Sequence, residues 1–296
     1  MLNLAAGLIV IACAAQPTAP YIRLNGDWPV SPQPTRSIVP LRVAVAIVIS
    51  LKGDVESYSP LLDCLSARLG RPVEMMQRRT FAEVNDLLRD GKADMAFVSS
   101  SAYIAGHRDF GMQLLVAPQI SGKLADYAYL IVPASSSARG MADLQGKVFA
   151  FDDPLSYVGR DYPILLVRRL GYEPEIFFAR TFFTYGQDDS IHAVAGGLAD
   201  GAVVSRLAYD LTAQHDPTLL ARVRIIHQSE PLAAAPVVVG PQVRPQLRAE
   251  LYDLLVTLDQ NDSGRAALQA LGLDRFVPID DSAYDGTRQI EQGIRP

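Results

Sequence analysis

The sequence predicts an α/β protein of two similar lobes, and three observations carry that prediction. The first is a repeat: 91-GKADMAFVSSSAYI-104 and 196-GGLADGAVVSRLAYD-210 share a strand-to-helix corner. Sliding one over the other by 106 positions aligns Gly91 with Gly197, Asp94 with Asp200, Ala96 with Ala202, Val98 with Val204, Ser99 with Ser205, Ala102 with Ala208 and Tyr103 with Tyr209. The second is that the repeat extends in the same order. That offset lays 41-LRVAVAIVIS-50 over 147-KVFAFDDPLS-156, and a nearly equal one lays 67-ARLGRPVEM-75 over 168-RRLGYEPEI-176. A period this long marks a duplicated unit rather than a solenoid of short repeats. The third is size, because 296 residues at 49% hydrophobic and 20% charged suffice for two cores.

The elements follow in order. Leu4 to Ala12 is an apolar run too short to cross a bilayer and suited to the hydrophobic region of a signal peptide, so residues 1–14 read as an address. Within it 10-VIAC-13 resembles a lipobox, which puts a lipid on Cys13, while 12-ACA-14 also fits ordinary cleavage at small residues. Residues 15–36 hold Pro17, Pro20, Pro29, Pro32 and Pro34 and read as an extended tether. A strand at 41–50 turns at 49-ISLKG-53, which carries Ser50 and Lys52. The helix in 58-YSPLLDCLSARLG-70 presents Leu61, Leu62, Leu65 and Leu69 on one face and stops at Gly70. Met95 to Val98 is a short buried strand, and the serines after it stand where a helix N-cap is needed. The second half repeats the series, with a strand at Ala202 to Val204. Two extended segments, 127-YAYLIVP-133 and 234-AAPVVVG-240, are rich in β-formers.

Several functions are disfavoured. A net charge of −5 without a dense Lys/Arg run argues against a nucleic-acid surface. His107, His192, His215 and His227 are scattered, no metal-like spacing occurs, and no cofactor is called for. No nucleophile elbow or phosphate loop follows a strand, and Asp152 and Asp153 diverge in extended chain, so no enzyme is expected. Cys64 reads as a small, partly buried thiol on its helix.

From about Leu41 to Tyr284 the chain resembles the phosphate/phosphite/phosphonate ABC-transporter substrate-binding proteins. The carriers are 58-YSPLLDCLSARLG-70, 91-GKADMAFVSSSAYI-104, 146-GKVFAFDDPLSYVG-159, 183-FTYGQDDSIHAVAGGLADGAVV-204 and 262-DSGRAALQALGLDRFVPIDDSAYD-285, taken in order. The resemblance implies a periplasmic-binding-protein fold of type II: lobes of 37–131 plus 238–296 and of 132–237, joined by a two-strand hinge, with ligand in the interlobe cleft. It implies a periplasmic, monomeric receptor that hands a small oxyanion to an ABC permease, touching the membrane only through a lipid anchor. Relatives that present ligand to a sensor histidine kinase, some of them for arsenite, supply the alternative.

Site residues carry over position by position. The family's D-P-x-S-T-S-G loop is 153-DPLSYVG-159 here, so Ser156 is kept while Tyr157 and Val158 replace two hydroxyl residues. Gln187 stands where a ligand-binding histidine is expected, and it donates hydrogen bonds without adding charge. Ser205 and Arg206 follow the strand where relatives place an acid; Arg206 either forks onto an oxyanion or stands solvated at a helix start. On the first lobe Ser99, Ser100 and Ser101 offer donors, and Tyr103 falls either at the pocket wall or in the core one turn into its helix. Ser50 is positioned like Ser156 by the repeat, and Tyr58 is assigned to packing at a helix start.

Overall fold

The computed structural model describes residues 39–46 and 51–294. The expected roles of Cys13 and Ser50 lie outside those residues. β1 (Leu41–Ala46) is almost wholly buried and leads to α1 (Leu51–Leu69), which buries Leu61, Leu62 and Leu65 and stops at Gly70 with φ +62°. The helix starts before the proline expected near its beginning, so Pro60 stands inside it. There follow β2 (Val73–Arg78), α2 (Phe81–Arg89), β3 (Met95–Phe97), α3 (Ser100–Phe110) and β4 (Gln113–Gln119). Thr80 and Glu83 close a reciprocal capping box on α2.

β5 (Ala125–Asp126) and β6 (Ala128–Pro133) carry the chain to a second sheet. That sheet continues with β7 (Val148–Phe151), then a π-type turn over Tyr157–Asp161 leading into α4 (Tyr162–Arg169), the short α5 (Pro174–Phe177) and β8 (Arg180–Phe183). Next come α6 (Gln187–Ala195), β9 (Gly201–Ser205), α7 (Arg206–His215), α8 (Pro217–Leu220) and β10 (Val223–Gln228). β11 (Leu232–Ala233) and β12 (Val237–Val239) return to the first sheet. α9 (Pro245–Val256), α10 (Asp262–Ala270), β13 (Arg275–Val277) and α11 (Asp285–Ile294) complete the chain.

The first sheet runs β13-β4-β12-β3-β1-β2 and the second β10-β6-β9-β7-β8. In each, the leading strand pairs in parallel on both sides, β1 with β2 and β3, β7 with β8 and β9, as strand-helix-strand units require. β5 and β11 form a separate antiparallel ribbon between the sheets, Ala125 opposite Ala233 and Asp126 opposite Leu232. β6 pairs with β9 from Ala128 onward, so the second sheet begins inside the span 37–131 read as first lobe.

The duplication is visible at the level of single bonds. Asp94 and Arg42 exchange backbone and carboxylate bonds, Asp94 N–H to the Arg42 carbonyl and Arg42 N–H to Asp94 Oδ2, each 2.9 Å. The equivalent Asp200 and Val148 repeat both at 2.8 Å. Gly91 and Gly197 share positive φ, +64° and +74°, which is why glycine is kept at both corners.

The C-terminal helix α11 touches both lobes. Tyr284, just before it, donates to the Ala234 carbonyl at 3.0 Å, the Thr287 and Tyr157 side chains are hydrogen-bonded, and Arg168 donates to the Gly293 carbonyl at 2.6 Å.

Candidate ligand-binding cleft

Three helix starts meet at a cavity of about 150 Å³ between the sheets. The α3 corner contributes Ser99 and Ser100, the turn before α4 contributes Ser156, Tyr157 and Val158, and the α7 corner contributes Ser205. Gln187, at the first position of α6, joins them. Sequence reasoning therefore brought together six of its expected ligand residues: Ser99, Ser100, Ser156, Tyr157, Gln187 and Ser205.

Each corner is first satisfied from within the protein. Ser99 Oγ accepts the Ala102 N–H at 3.0 Å and donates to the Leu155 carbonyl across the cleft. Its repeat partner Ser205 accepts from Ala208 N–H, also at 3.0 Å, while its own N–H goes to Gln187 Oε1 at 2.7 Å. Ser156 Oγ accepts from Gly159 N–H at 3.0 Å and donates to Asp152 Oδ2 at 2.8 Å. These are the bonds a helix N-cap makes.

Carboxylates of the second lobe close against the first. Asp153 Oδ2 accepts the Phe81 N–H, the first of α2, at 3.1 Å, and Asp161 Oδ2 accepts the Ser101 hydroxyl at 2.6 Å. Asp161 also pairs with Arg160 at 2.7 Å. Burial pushes Asp153 above the usual carboxylate range and Asp152 up to about 7.

Four sequence readings are corrected. Tyr103 is 1% exposed and lies in the core against Tyr284, its hydroxyl donating to Asp281, because one turn beyond the cap the helix face has rotated away from the cleft. Ser101 is buried in the bond to Asp161 and does not line the cavity. Arg206 is also absent from the wall: its guanidinium lies over the Tyr127 ring at 5.5 Å and donates to Ser121 Oγ at 3.3 Å. Tyr58, assigned to packing, lines the cavity with its ring 5.0 Å from that of Phe97.

Asp126 was missed. It sits on the β5 ribbon, buried at the wall, where its carboxylate accepts Tyr127 N–H at 2.8 Å and the backbone N–H of Leu207 in the first turn of α7. Burial pushes it up to about 6, against the opposing pull of Arg206. The one signal available was an acid heading the otherwise apolar run 127–133.

Two sheet-bearing lobes joined by a two-stranded ribbon, with a cleft walled from both, define the chain as a type II periplasmic-binding-protein fold. The profile of the periplasmic substrate-binding proteins of phosphonate ABC transporters matches residues 52–284, and the chain belongs to that family. It is 27% identical over 258 residues to the phosphate-import protein PhnD of Mycolicibacterium smegmatis, covering 79% of each chain. Among solved structures, a binding-protein component of a Pseudomonas aeruginosa ABC phosphonate transporter superposes with a TM-score of 0.81 at 19% identity, over 85% of each chain. PhnD1 of Prochlorococcus marinus, in complex with methylphosphonate, gives 0.78 at 15% identity, over 86% of this chain and 97% of that one. The aliphatic sulphonate binding protein SsuA of Escherichia coli gives 0.58 at 15% identity, over 86% and 90%. Membership makes the chain an extracytoplasmic transport receptor, and among the described residues no helix is long and apolar enough to cross a membrane.

Proposed function

We propose that the protein captures a small phosphorus oxyanion of the phosphate, phosphite or phosphonate type and delivers it, without turnover, to an ABC permease. The observation that carries this is the convergence of the α3, α4 and α7 starts, with Ser99, Ser156 and Ser205, on one cleft. Helix N-termini favour anions through their unpaired N–H groups and dipole. The lobes part at the β5–β11 ribbon, which serves as the hinge, and ligand closes them by bridging half-sites that only the closed form brings together. A monomer anchored by lipid on Cys13 suits that role, and an importer rather than a sensor kinase is the partner that family membership supports. Calorimetric titration of the domain with phosphate, phosphite, methylphosphonate, sulfate, arsenate and arsenite tests it. Saturable binding of a phosphorus oxyanion is expected. Binding of arsenite alone would refute the reading and favour the sensor.

A further inference from the structure

We infer that the cleft selects a phosphonate bearing an apolar substituent about the size of a six-membered ring, in preference to inorganic phosphate or methylphosphonate. This rests on the phosphorus-oxyanion reading above and adds the part of the ligand that the corners do not address. The wall is largely hydrocarbon: Phe97, Leu271 and Phe276 face it from the first lobe, and Val158, Leu207 and Leu211 from the second. Phe97 joins two aromatic pairs there, 5.0 Å from the Tyr58 ring and 6.2 Å from the Phe276 ring.

Charge does not favour the compact anions over a ring-bearing phosphonate. Among the described residues no lysine, arginine or histidine lines the cavity, and Arg206 is directed to Tyr127 and Ser121 instead. The wall's carboxylate, Asp126, repels an anion. A compact dianion meets no cationic side chain among the described residues of the wall and leaves the apolar space beside the serine corners empty; a ring-bearing phosphonate carries the same charge, so the apolar wall is what separates the two. A cavity of about 150 Å³ has room for a ring-sized group, since an engineered apolar cavity of that volume holds benzene. A phosphonate with a ring-sized body fills that space, removes apolar wall from water, and still presents oxygens to the helix starts. Val158, where a hydroxyl is expected from the family resemblance, is consistent with this division: it withdraws a donor and extends the apolar wall.

The test compares phosphate, methylphosphonate, phenylphosphonate and benzyl alcohol by calorimetry on the wild type and on Ala235→Phe. Ala235 is exposed and lines the cavity, so a phenyl ring there is placed to occupy the space without displacing core side chains. Phenylphosphonate is expected to bind at least tenfold tighter than methylphosphonate in the wild type, and that ratio is expected to fall to about one in Ala235→Phe. Phosphate or methylphosphonate binding as tightly as phenylphosphonate would overturn the inference and leave the oxyanion reading intact. Benzyl alcohol binding that Ala235→Phe abolishes, with no phosphorus compound bound, would sustain the apolar site and reject the oxyanion reading. Silence of all four probes rejects both. Circular dichroism and thermal melting confirm that the variant is folded.

Discussion

Ser101→Ala isolates what the closed arrangement costs to undo. The hydroxyl is buried on α3 of the first lobe and donates to Asp161 of the second at 2.6 Å, so the bond exists only while the lobes are together. Removing a hydrogen bond to a charged acceptor costs about 1.5–3 kcal/mol. Arg160 remains on the other oxygen of Asp161, which keeps the loss toward the lower end. That is about 1.5–3 kcal/mol against the closed form, or roughly 10- to 150-fold in any closure-coupled dissociation constant. Calorimetry against several ligands, with small-angle scattering of the empty protein, reads both consequences. Affinity should fall by the same factor for every ligand and the empty protein should expand. A loss confined to one ligand would make Ser101 a direct contact, and unchanged affinity with unchanged dimensions would refute the latch.

The remaining predictions concern stability and placement. Asp152 has a folded pKa of about 7, above the unfolded carboxylate near 4, so the stability it contributes is present at low pH and lost as pH rises through about 7. The melting temperature of Asp152→Asn should therefore fall less than the wild type's between pH 5 and pH 8 in thermal scans. Gly159→Ala would place a methyl group 2.2 Å from the Asp152 carboxylate, and urea denaturation should show a loss of about 1–3 kcal/mol. Tyr103→Phe gives up the bond to Asp281, which Arg288 also satisfies, so a loss of about 1 kcal/mol is expected with ligand affinity unchanged within about twofold. A larger affinity loss would return Tyr103 to the cleft.

What the sequence disclosed was what short-range chemistry determines. Leu69-Gly70 and Leu170-Gly171 announce helix ends because a left-handed residue is needed there, and φ is +62° and +83°. Ser99 and Ser205 were legible as corners because a cap is set by residues three positions apart. That Ser101 and Tyr103 turn away from the cleft was not legible. Ser101 finds its partner 60 residues away and Tyr103 finds its own 178 away, and no local pattern encodes those meetings. Asp126 escaped for the same reason. Its importance comes from Leu207 N–H, which the fold brings to the ribbon from the start of α7.

The bonds from Phe81 to Asp153 and from Ser101 to Asp161 join the lobes through protein atoms alone. A transport partner that recognises the closed outline meets two populations, loaded and unloaded, with the same face. Every contact that holds the lobes together without cargo sharpens capture and, by the same increment, multiplies the empty visitors that compete for the membrane complex. The strength of this latch thus sets an exchange between retention of scarce solute and fidelity of the signal that solute has arrived.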